Sequence, residues 1–402
     1  MPASVISPQD RGRPIAVPTS EEPVPELGIS WAELERRVRA NTYEWLPRQF
    51  DEQAGAFHGH YSATLQQFAP PQTANLIAPW QLLAAYDSYL DGALLVMARR
   101  AAEWLYHSYT VTHPMQVVAG GVRDAVHSEE LWTKYAAEFV ILNVGLYRRT
   151  GEETYLQRAL QSGQFLVQAA RQGFATRYDE QARAWELEGW RSFGRVIEAF
   201  LELQAATDDT AWEERALRWG EFALSLQAPD GCFYLIDSQY FNSDMAADEL
   251  RALLFLAEQT KHAAFRDSAG RFANWLLARQ REDGAWPFTI DRDGNVVVPT
   301  VGPGDMPNIG VALLHFHEIT GEEQYRQAAL RAFRYALGTQ VLPGVGDPYA
   351  DDPRVCWGFW SWDPHYDYTL SADQSTHHVR GMLFLLDMAH DAKAHPPSIM
   401  EV

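Results

Sequence analysis

The chain has 402 residues, 47% of them hydrophobic and 12% aromatic, so it is long enough to bury a large core. Its formal net charge of -20 disfavours a nucleic acid or an anionic membrane surface as a partner, because both need a basic footprint. Two cysteines exclude a disulfide framework, and with no apolar run of membrane-spanning length and no secretory signal we predict a cytoplasmic location.

Residues 1–28 contain six prolines and are predicted to form an extended or disordered arm without chemistry. From residue 29 to 402 the pattern predicts a single all-α domain, in which amphipathic helices alternate with helices that are apolar nearly all round. The amphipathic, outer helices are predicted at 31–50, 93–108, 154–171, 212–227, 263–280 and 324–339. The apolar, inner helices are predicted at 73–90, 128–149, 186–206, 244–260, 306–320 and 376–392.

Two kinds of joint recur along this series of helices. Residues 150–155, Thr-Gly-Glu-Glu-Thr-Tyr, match residues 320–325, and residues 207–212 are a looser relative. Residues 227–233, which begin Gln-Ala-Pro-Asp-Gly, match residues 280–286 around Gly284 and Trp286, and a hairpin is predicted around 292–294. Six repeated helical hairpins with buried inner members predict an (α/α)6 toroid.

The two kinds of joint differ in length. Inner-to-outer joints are only a few residues long, whereas every outer-to-inner joint is a long loop. In a toroid all joints of one kind lie on one face, and binding sites usually lie on long loops held by a rigid scaffold. We therefore predict a site at the N-terminal ends of the inner helices, whose unpaired amides favour an anionic or polyhydroxylated ligand.

Carboxyl groups at these ends are the candidates for general acid/base catalysis. We predict Glu188, Asp305 and Asp373 as catalytic residues. Glu188 and Asp373 have aromatic or imidazole neighbours that raise a carboxyl pKa, while Asp305 and Asp244 occupy positions where a helix N-cap is the alternative interpretation.

Aromatic, imidazole and guanidinium side chains near the same ends are predicted to bind substrate. Flat aromatic faces stack on sugar rings, and an arginine can clamp a carboxylate. The alternatives are that the tryptophans only fill the mouth of the barrel and that the arginines, placed at inner-helix starts, only neutralise acidic neighbours. The predicted binding residues are Arg123, Asp124, His127, Trp190, Arg191, Asp244, Trp357, Trp360, Trp362, His377, His378 and Arg380.

Neither a metal nor a cofactor is predicted. Residues 363–367, Asp-Pro-His-Tyr-Asp, have only weak metal-ligand spacing, and the sequence contains no phosphate loop, dinucleotide fingerprint or Gly-x-Ser-x-Gly elbow. Hydride and phosphoryl transfer are therefore disfavoured.

The repeat and its Gln-x-x-x-Gly-x-Trp turn resemble those of (α/α)6 enzymes. Gly284-Ala-Trp-Pro287 is similar to a turn of the unsaturated uronyl hydrolases and of the helical domain of glucuronyl C5-epimerases, and residues 188–191, Glu-Gly-Trp-Arg, resemble an inner helix of the hydrolases. The ring is also similar to that of the N-acylglucosamine 2-epimerases. Squalene and terpene cyclases share the turn, but their Asp-x-Asp-Asp motif is missing here.

The resemblance implies a carbohydrate-active enzyme. Together with the candidate residues it predicts a glycoside hydrolase that acts on a small uronate-containing oligosaccharide by general acid/base catalysis. The alternatives are a sugar epimerase or polysaccharide lyase, a terpene-cyclase-like enzyme, and a non-catalytic ligand-binding toroid. The sequence leaves the sugar, the linkage and the oligomeric state open.

Overall fold

The computed structural model describes residues 21–113, 118–187, 193–235, 238–365 and 368–390. These residues contain twelve α-helices and several short strands. The described residues fall into two compact units, one within Ala102–Trp275 and Ile290–Asn295, the other within Gly12–Ala101, Leu276–Thr289 and Val296–Val402. The assignment of residues 29–402 to a single domain remains a prediction.

In the first unit three neighbouring inner helices form a row. Helix α4 packs against α5 and α6, and α6 packs against α7 and α8. Strands β7, β8 and β9 form a three-stranded antiparallel sheet. In the chain, β7 comes directly before α4, and β8 and β9 come between α5 and α6. The elements are the end of α3 (Gly92–Tyr109), β7 (Glu130–Trp132), α4 (Thr133–Thr150), α5 (Glu153–Arg171), β8 (Arg177–Asp179), β9 (Ala184–Glu186), α6 (Phe193–Thr207), α7 (Ala211–Leu226), β10 (Tyr240–Asn242), α8 (Ala246–Thr260) and most of α9 (Ala263–Arg279).

The second unit has the same organisation. Helix α10 packs against α11 and α12, and α12 packs against α1 and α2. Its loops contain two antiparallel strand pairs, β1–β2 and β3–β4, and a three-stranded antiparallel sheet in the order β13–β5–β6. The elements are β1 (Pro23–Val24), β2 (Ile29–Ser30), α1 (Trp31–Ala40), β3 (Phe50–Asp51), β4 (Ala56–Phe57), β5 (Tyr61–Ser62), β6 (Gln67–Phe68), α2 (Ala78–Tyr89), α10 (Asp305–Thr320), α11 (Glu323–Leu337), β13 (Thr369–Leu370) and α12 (Ala372–His390), with β11 (Thr289–Asp291) and β12 (Val296–Val298) near the unit boundary.

Two predicted inner helices begin later than their hydrophobic pattern indicated. Helix α4 begins at Thr133 rather than residue 128, because Glu130–Trp132 pairs with Arg177–Asp179 as a strand. Helix α6 begins at Phe193 rather than residue 186, because Ala184–Glu186 forms the third strand of the same sheet. Short apolar runs fit a strand as well as a helix, so periodicity alone could not separate them.

Among the described residues, the threonine form of the tight inner-to-outer joint occurs four times, once more than the sequence showed. At Thr150, Thr207, Thr260 and Thr320 the hydroxyl donates to the carbonyl four residues earlier, at 2.6–2.9 Å. The same hydroxyl accepts from the amide two residues later, at 3.2–3.3 Å. Each threonine is followed by a left-handed residue, which is glycine in two joints and Asp208 or Lys261 in the others. The shared hydroxyl bonds confirm the predicted repeat.

We expect Lys261→Gly to raise the free energy of unfolding by up to about 1 kcal/mol, because glycine adopts φ +56° without the Cβ clash that lysine has there. The reciprocal change, Gly151→Ala, should lower it by about the same amount, since a Cβ at Gly151 meets nothing within 4 Å and only the backbone conformation is strained. Urea unfolding of both variants measures the effect. Equal stabilities of all three proteins would contradict this explanation of the joint.

The outer-to-inner joint begins with a glutamine that fixes the turn. The Gln280 amide nitrogen donates to Gly284 O at 2.9 Å and to Ala328 O of α11 at 2.8 Å. Gln227 makes the matching bond to Gly231 O at 2.8 Å. This confirms the second repeated joint and shows why the glutamine recurs: it ties the turn to the next outer helix.

Two further local predictions are confirmed. Trp286 is fully buried, and its indole N–H donates to Leu276 O at 2.8 Å, so the side chain folds back onto α9 as a plug. The hairpin around residues 292–294 is present, because the Gly294 amide donates to Asp291 O at 3.0 Å.

Candidate active site

Charged side chains occupy the N-terminal ends of the three inner helices of the first unit. Each helix contributes at least two such residues within its first six positions, and one more lies in the 3-10 turn Ser243–Met245 before α8. Burial of so many charges is costly unless they pair with one another. These residues, which we call the inner charge cluster, are Lys134 and Glu138 of α4, Arg195 and Glu198 of α6, and Asp244, Asp248 and Arg251 at α8.

Arg195 is the centre of the inner charge cluster and is only 5% exposed. Its guanidinium lies 2.7 Å from Asp248 Oδ1, 3.2 Å from Glu198 Oε2 and 3.9 Å from Glu138 Oε1. It thereby links all three inner helices. Gly194 allows this arrangement, because a Cβ there would lie 2.4 Å from Asp248 O, too close for any side chain.

Glu198 is a buried carboxyl that holds its proton at neutral pH. Burial raises its pKa to about 8, although the neighbouring Arg195 and Arg251 favour the ionised form. Its Oε1 is buried and has no hydrogen-bond partner among the described residues. The cluster therefore contains a carboxylic acid at neutral pH.

Asp244 combines partial exposure with a pKa in the range useful for proton transfer. Burial of its carboxyl raises the pKa to about 6; Lys134 opposes this rise and the negative charge of Asp248 adds to it. Its Oδ1 is buried without a hydrogen-bond partner in the described part of the chain. The turn and α8 have Asn242 and Met245 as their N-caps, so the alternative interpretation of Asp244 as a cap is wrong.

In the second unit, polar side chains likewise lie at the N-terminal ends of α10 and α12. Asp305 is the first residue of α10 and is buried, but the N-cap is Gly304, so the capping alternative is wrong here too. His377 is nearly buried, and its Nδ1 lies 2.7 Å from the Asn308 amide nitrogen. Asp373 lies in the first turn of α12 and accepts from the Gln374 amide at 2.7 Å.

His378 has a packing role in the same helix. It is fully buried and stacks on Phe359 with ring centroids 4.0 Å apart, and its Nδ1 lies 2.8 Å from Gln374 O. Burial lowers its pKa to about 4, so the ring is neutral at pH 7. Arg380, also buried, places its guanidinium 5.0 Å from the ring centroid of Trp80.

The three candidate tryptophans differ in exposure. Trp357 and Trp360 are buried, and the Trp360 indole N–H donates to Asp347 at 2.9 Å, which fits the interpretation that they fill space in the loop. Trp362 is half-buried and contacts Phe288 edge-on, with centroids 5.2 Å apart. Of the three, Trp362 has the most surface left for a ligand.

Solved structures with the same arrangement of helices are numerous. Cellobiose 2-epimerase from Bacillus thermoamylovorans matches with a TM-score of 0.72 and 12% identity, over 88% of this chain and 99% of that one. D-mannose isomerase matches with a TM-score of 0.71 and 14% identity, over 92% and 100% of the two chains. An unsaturated glucuronyl hydrolase from a Bacillus species matches with a TM-score of 0.64 and 12% identity, over 87% and 96%.

The chain has the (α/α)6 toroid fold. The prediction of an all-α toroid, made from the alternation of helices and the two joints, is thereby confirmed. No protein-family profile matches the sequence, and a search among curated proteins finds no match. At such low identities the similarity establishes the fold of the toroid and leaves its reaction to be inferred from the site.

Three of the predicted binding residues lie away from the inner-helix starts of the toroid. Arg123 was placed at the start of an inner helix, but α4 begins ten residues later, so that placement is wrong. Its guanidinium forms an ion pair with Glu180 at 2.5 Å, which fits the alternative that this arginine neutralises an acidic neighbour. Asp124 is half-buried with Tyr109 nearby, and His127 is exposed. The roles of these three residues in binding substrate remain predictions.

Glu188, Trp190 and Arg191 lie outside the described residues, so their predicted roles remain predictions. Residues 366 and 367 of the 363–367 segment also lie outside them. Among the residues that are described, no group of three or more metal-ligating side chains is suited to a metal ion. In the same part of the chain, no helix is both long and apolar enough to cross a membrane.

Sequence reasoning missed most of the inner charge cluster. It named Asp244 as a candidate, but it did not single out Lys134, Glu138, Arg195, Glu198 or Arg251. The available signal was their position, because charged residues at the start of a helix predicted to be buried all round must either pair or serve a function.

Proposed function

We propose that this toroid is a carbohydrate-active enzyme in which Asp244 transfers the proton. The supporting observation is the pKa of about 6 for a partly exposed carboxyl at the start of an inner helix. A general acid/base group works best when its pKa lies near the working pH. Asp244 satisfies this condition, whereas the fully buried Glu198 and His378 are held in their neutral forms.

A sugar is the substrate class that the comparisons support. The similar structures include an epimerase named for cellobiose, an isomerase named for D-mannose and a hydrolase named for unsaturated glucuronyl groups. Helix N-termini and paired charges also suit hydroxyl-rich or anionic ligands, because they offer many fixed donors and acceptors. These points support a small sugar as the substrate of the inner charge cluster.

Within this class we propose glycoside hydrolysis of a small uronate-containing oligosaccharide. Hydrolysis requires one protonated and one ionised carboxyl group. Asp244 can supply the proton, and Asp248, whose Oδ1 lies 2.7 Å from the Arg195 guanidinium, is the second carboxyl group of the pair. The two carboxyl groups are electrostatically coupled, since the negative charge of Asp248 raises the pKa of Asp244.

Epimerisation or isomerisation is the second candidate. It is favoured by the higher TM-scores of cellobiose 2-epimerase and D-mannose isomerase, 0.72 and 0.71, than of the glucuronyl hydrolase, 0.64. This chemistry removes and returns a proton at a carbon next to a carbonyl group. A single group with the pKa of Asp244 could perform both transfers.

Incubation with a panel of uronyl disaccharides, cellobiose and D-mannose in D2O distinguishes the two reactions. A hydrolase gives shorter sugars that carry no new carbon-bound deuterium, which is the result we expect with a uronyl disaccharide. An epimerase or isomerase gives a sugar of unchanged length, with deuterium on the carbon that lost its proton. Mass spectrometry and proton NMR report both outcomes. A chain break accompanied by a new C=C bond would indicate a lyase and contradict both candidates.

A further inference from the structure

A polar groove lies on the outer side of the second unit, at the C-terminal end of α11. Its volume is about 570 Å³, enough for one or two sugar rings. The lining comes from the turn after α9, from α11 and its C-terminal end, and from the loop before α12. The lining residues are Glu282 and Asp283, then Arg331, Arg334, Tyr335, Gly338 and Thr339, and finally Asp363.

Two of the three carboxylates in this outer groove already have partners in the protein. Asp283 pairs with Arg281, and Asp363 accepts a hydrogen bond from the Tyr335 hydroxyl. That hydrogen bond and the burial of the ring raise the pKa of Tyr335, so its proton stays in place. The charge of Asp283 is therefore offset by its ion pair with Arg281, and the Asp363 carboxylate is oriented by its tyrosine partner.

The two guanidinium groups of the groove make few hydrogen bonds with the described residues. Arg331 gives one bond, from Nη2 to Gln280 Oε1 at 2.6 Å, which leaves its other N–H groups without a partner among the described residues. Arg334 is exposed and makes no side-chain hydrogen bond or ion pair within the described part of the chain. One turn of helix separates them, so both project from the same face of α11. The Glu282 carboxylate, also exposed, can accept bonds from hydroxyl groups.

We propose that the outer groove binds a sugar that carries a carboxylate, with Arg331 and Arg334 holding the carboxylate and Glu282 accepting from hydroxyls. A guanidinium matches a carboxylate in shape and offers two parallel N–H bonds. The groove lies on the outer helix, separate from the inner-helix residues of its own unit. The backbone of Asp363, which lines the groove, is hydrogen-bonded to the backbone of Val301. Val301 lies four residues before Asp305, the first residue of α10. This binding site does not depend on any reaction at the inner charge cluster.

The test is the binding of D-glucuronate to purified full-length protein, measured by isothermal titration calorimetry and by saturation-transfer NMR. Asp267→Asn should bind as wild type does, because Asp267 is exposed on α9 and is not part of the outer groove. Arg334→Gln should weaken binding by about tenfold or more, since a charge-assisted bond is lost. Arg331→Gln provides a second test of the same clamp, with thermal unfolding used to check that its turn remains intact.

Arg326→Gln is the matched control. Arg326 is a partly exposed arginine of the same helix, pairs with Glu323 at 2.6 Å and is not part of the groove lining. We expect it to bind glucuronate as wild type does, and we expect D-glucose and acetate each to bind much more weakly than glucuronate. Equal binding of glucose would show that no carboxylate is recognised. Unchanged binding in Arg334→Gln would place the ligand elsewhere and overturn the proposal.

Discussion

Gly284→Ala is expected to destabilise the protein strongly, because the turn lies against the backbone of α11. Gly284 has φ +98°, and a Cβ there would lie 2.3 Å from Arg331 O and 2.5 Å from its carbonyl carbon. These neighbours are backbone atoms of α11, so the helix would have to move. We expect a loss of about 4 kcal/mol or more, the sum of left-handed strain and overpacking.

Gly344→Ala is the matched control for this substitution. Gly344 also has a positive φ, +70°, but a Cβ there would meet nothing within 4 Å. It should therefore cost only the backbone strain of about 1–2 kcal/mol. The midpoints of thermal and urea unfolding of both variants measure the difference. If the two substitutions cost the same, the close approach of the turn to α11 is not what fixes this joint.

Asp244→Asn is expected to reduce turnover of the sugar substrate by about 10²–10⁴-fold, the usual contribution of a general acid/base group. The amide has nearly the same shape but cannot donate or accept the transferred proton. Stability should hold or rise, because burial already disfavours the charged form of this carboxyl. A loss of kcat with the thermal midpoint retained is therefore the expected signature.

Asp267→Asn serves as the control for the loss of one carboxylate. Asp267 is exposed on the outer helix α9, so its replacement should leave both kcat and KM unchanged. Full activity in Asp244→Asn would mean that Asp244 is not the proton donor. Glu188, Asp305 and Asp373, the catalytic residues predicted from sequence, would then be the next carboxyls to replace.

The architecture was predictable because it depends on patterns that repeat within the sequence. The threonine and glutamine joints mark helix ends by local hydrogen bonding, so copies such as Thr150 and Thr320, or Gln227 and Gln280, can be recognised without any tertiary contact. The copy at Thr260 was missed because Lys261 takes the left-handed conformation that glycine has in two of the other joints. A rule based on glycine therefore underestimates the number of copies.

The site was only partly predictable, because it depends on which residues of different helices meet. Hydrophobic periodicity showed that α4, α6 and α8 are buried. It could not show that the carboxyl groups of Glu138 and Asp248 both lie within 4 Å of the Arg195 guanidinium. It also could not show that Asp244 precedes its helix rather than capping it. Such pairings follow from the packing of neighbouring helices and are not recorded in local spacing.

The dependence of kcat/KM on pH, measured for wild type and Lys134→Gln on whichever sugar is turned over, tests proton transfer by Asp244 most directly. With Asp244 as the acid, wild-type activity should fall as the pH rises through about 6. The Lys134 cation favours the ionised carboxylate, so its removal should raise the pKa and move this fall to higher pH. A fall that stays at the same pH in Lys134→Gln, or a wild-type profile that is flat between pH 5 and 8, would contradict the account.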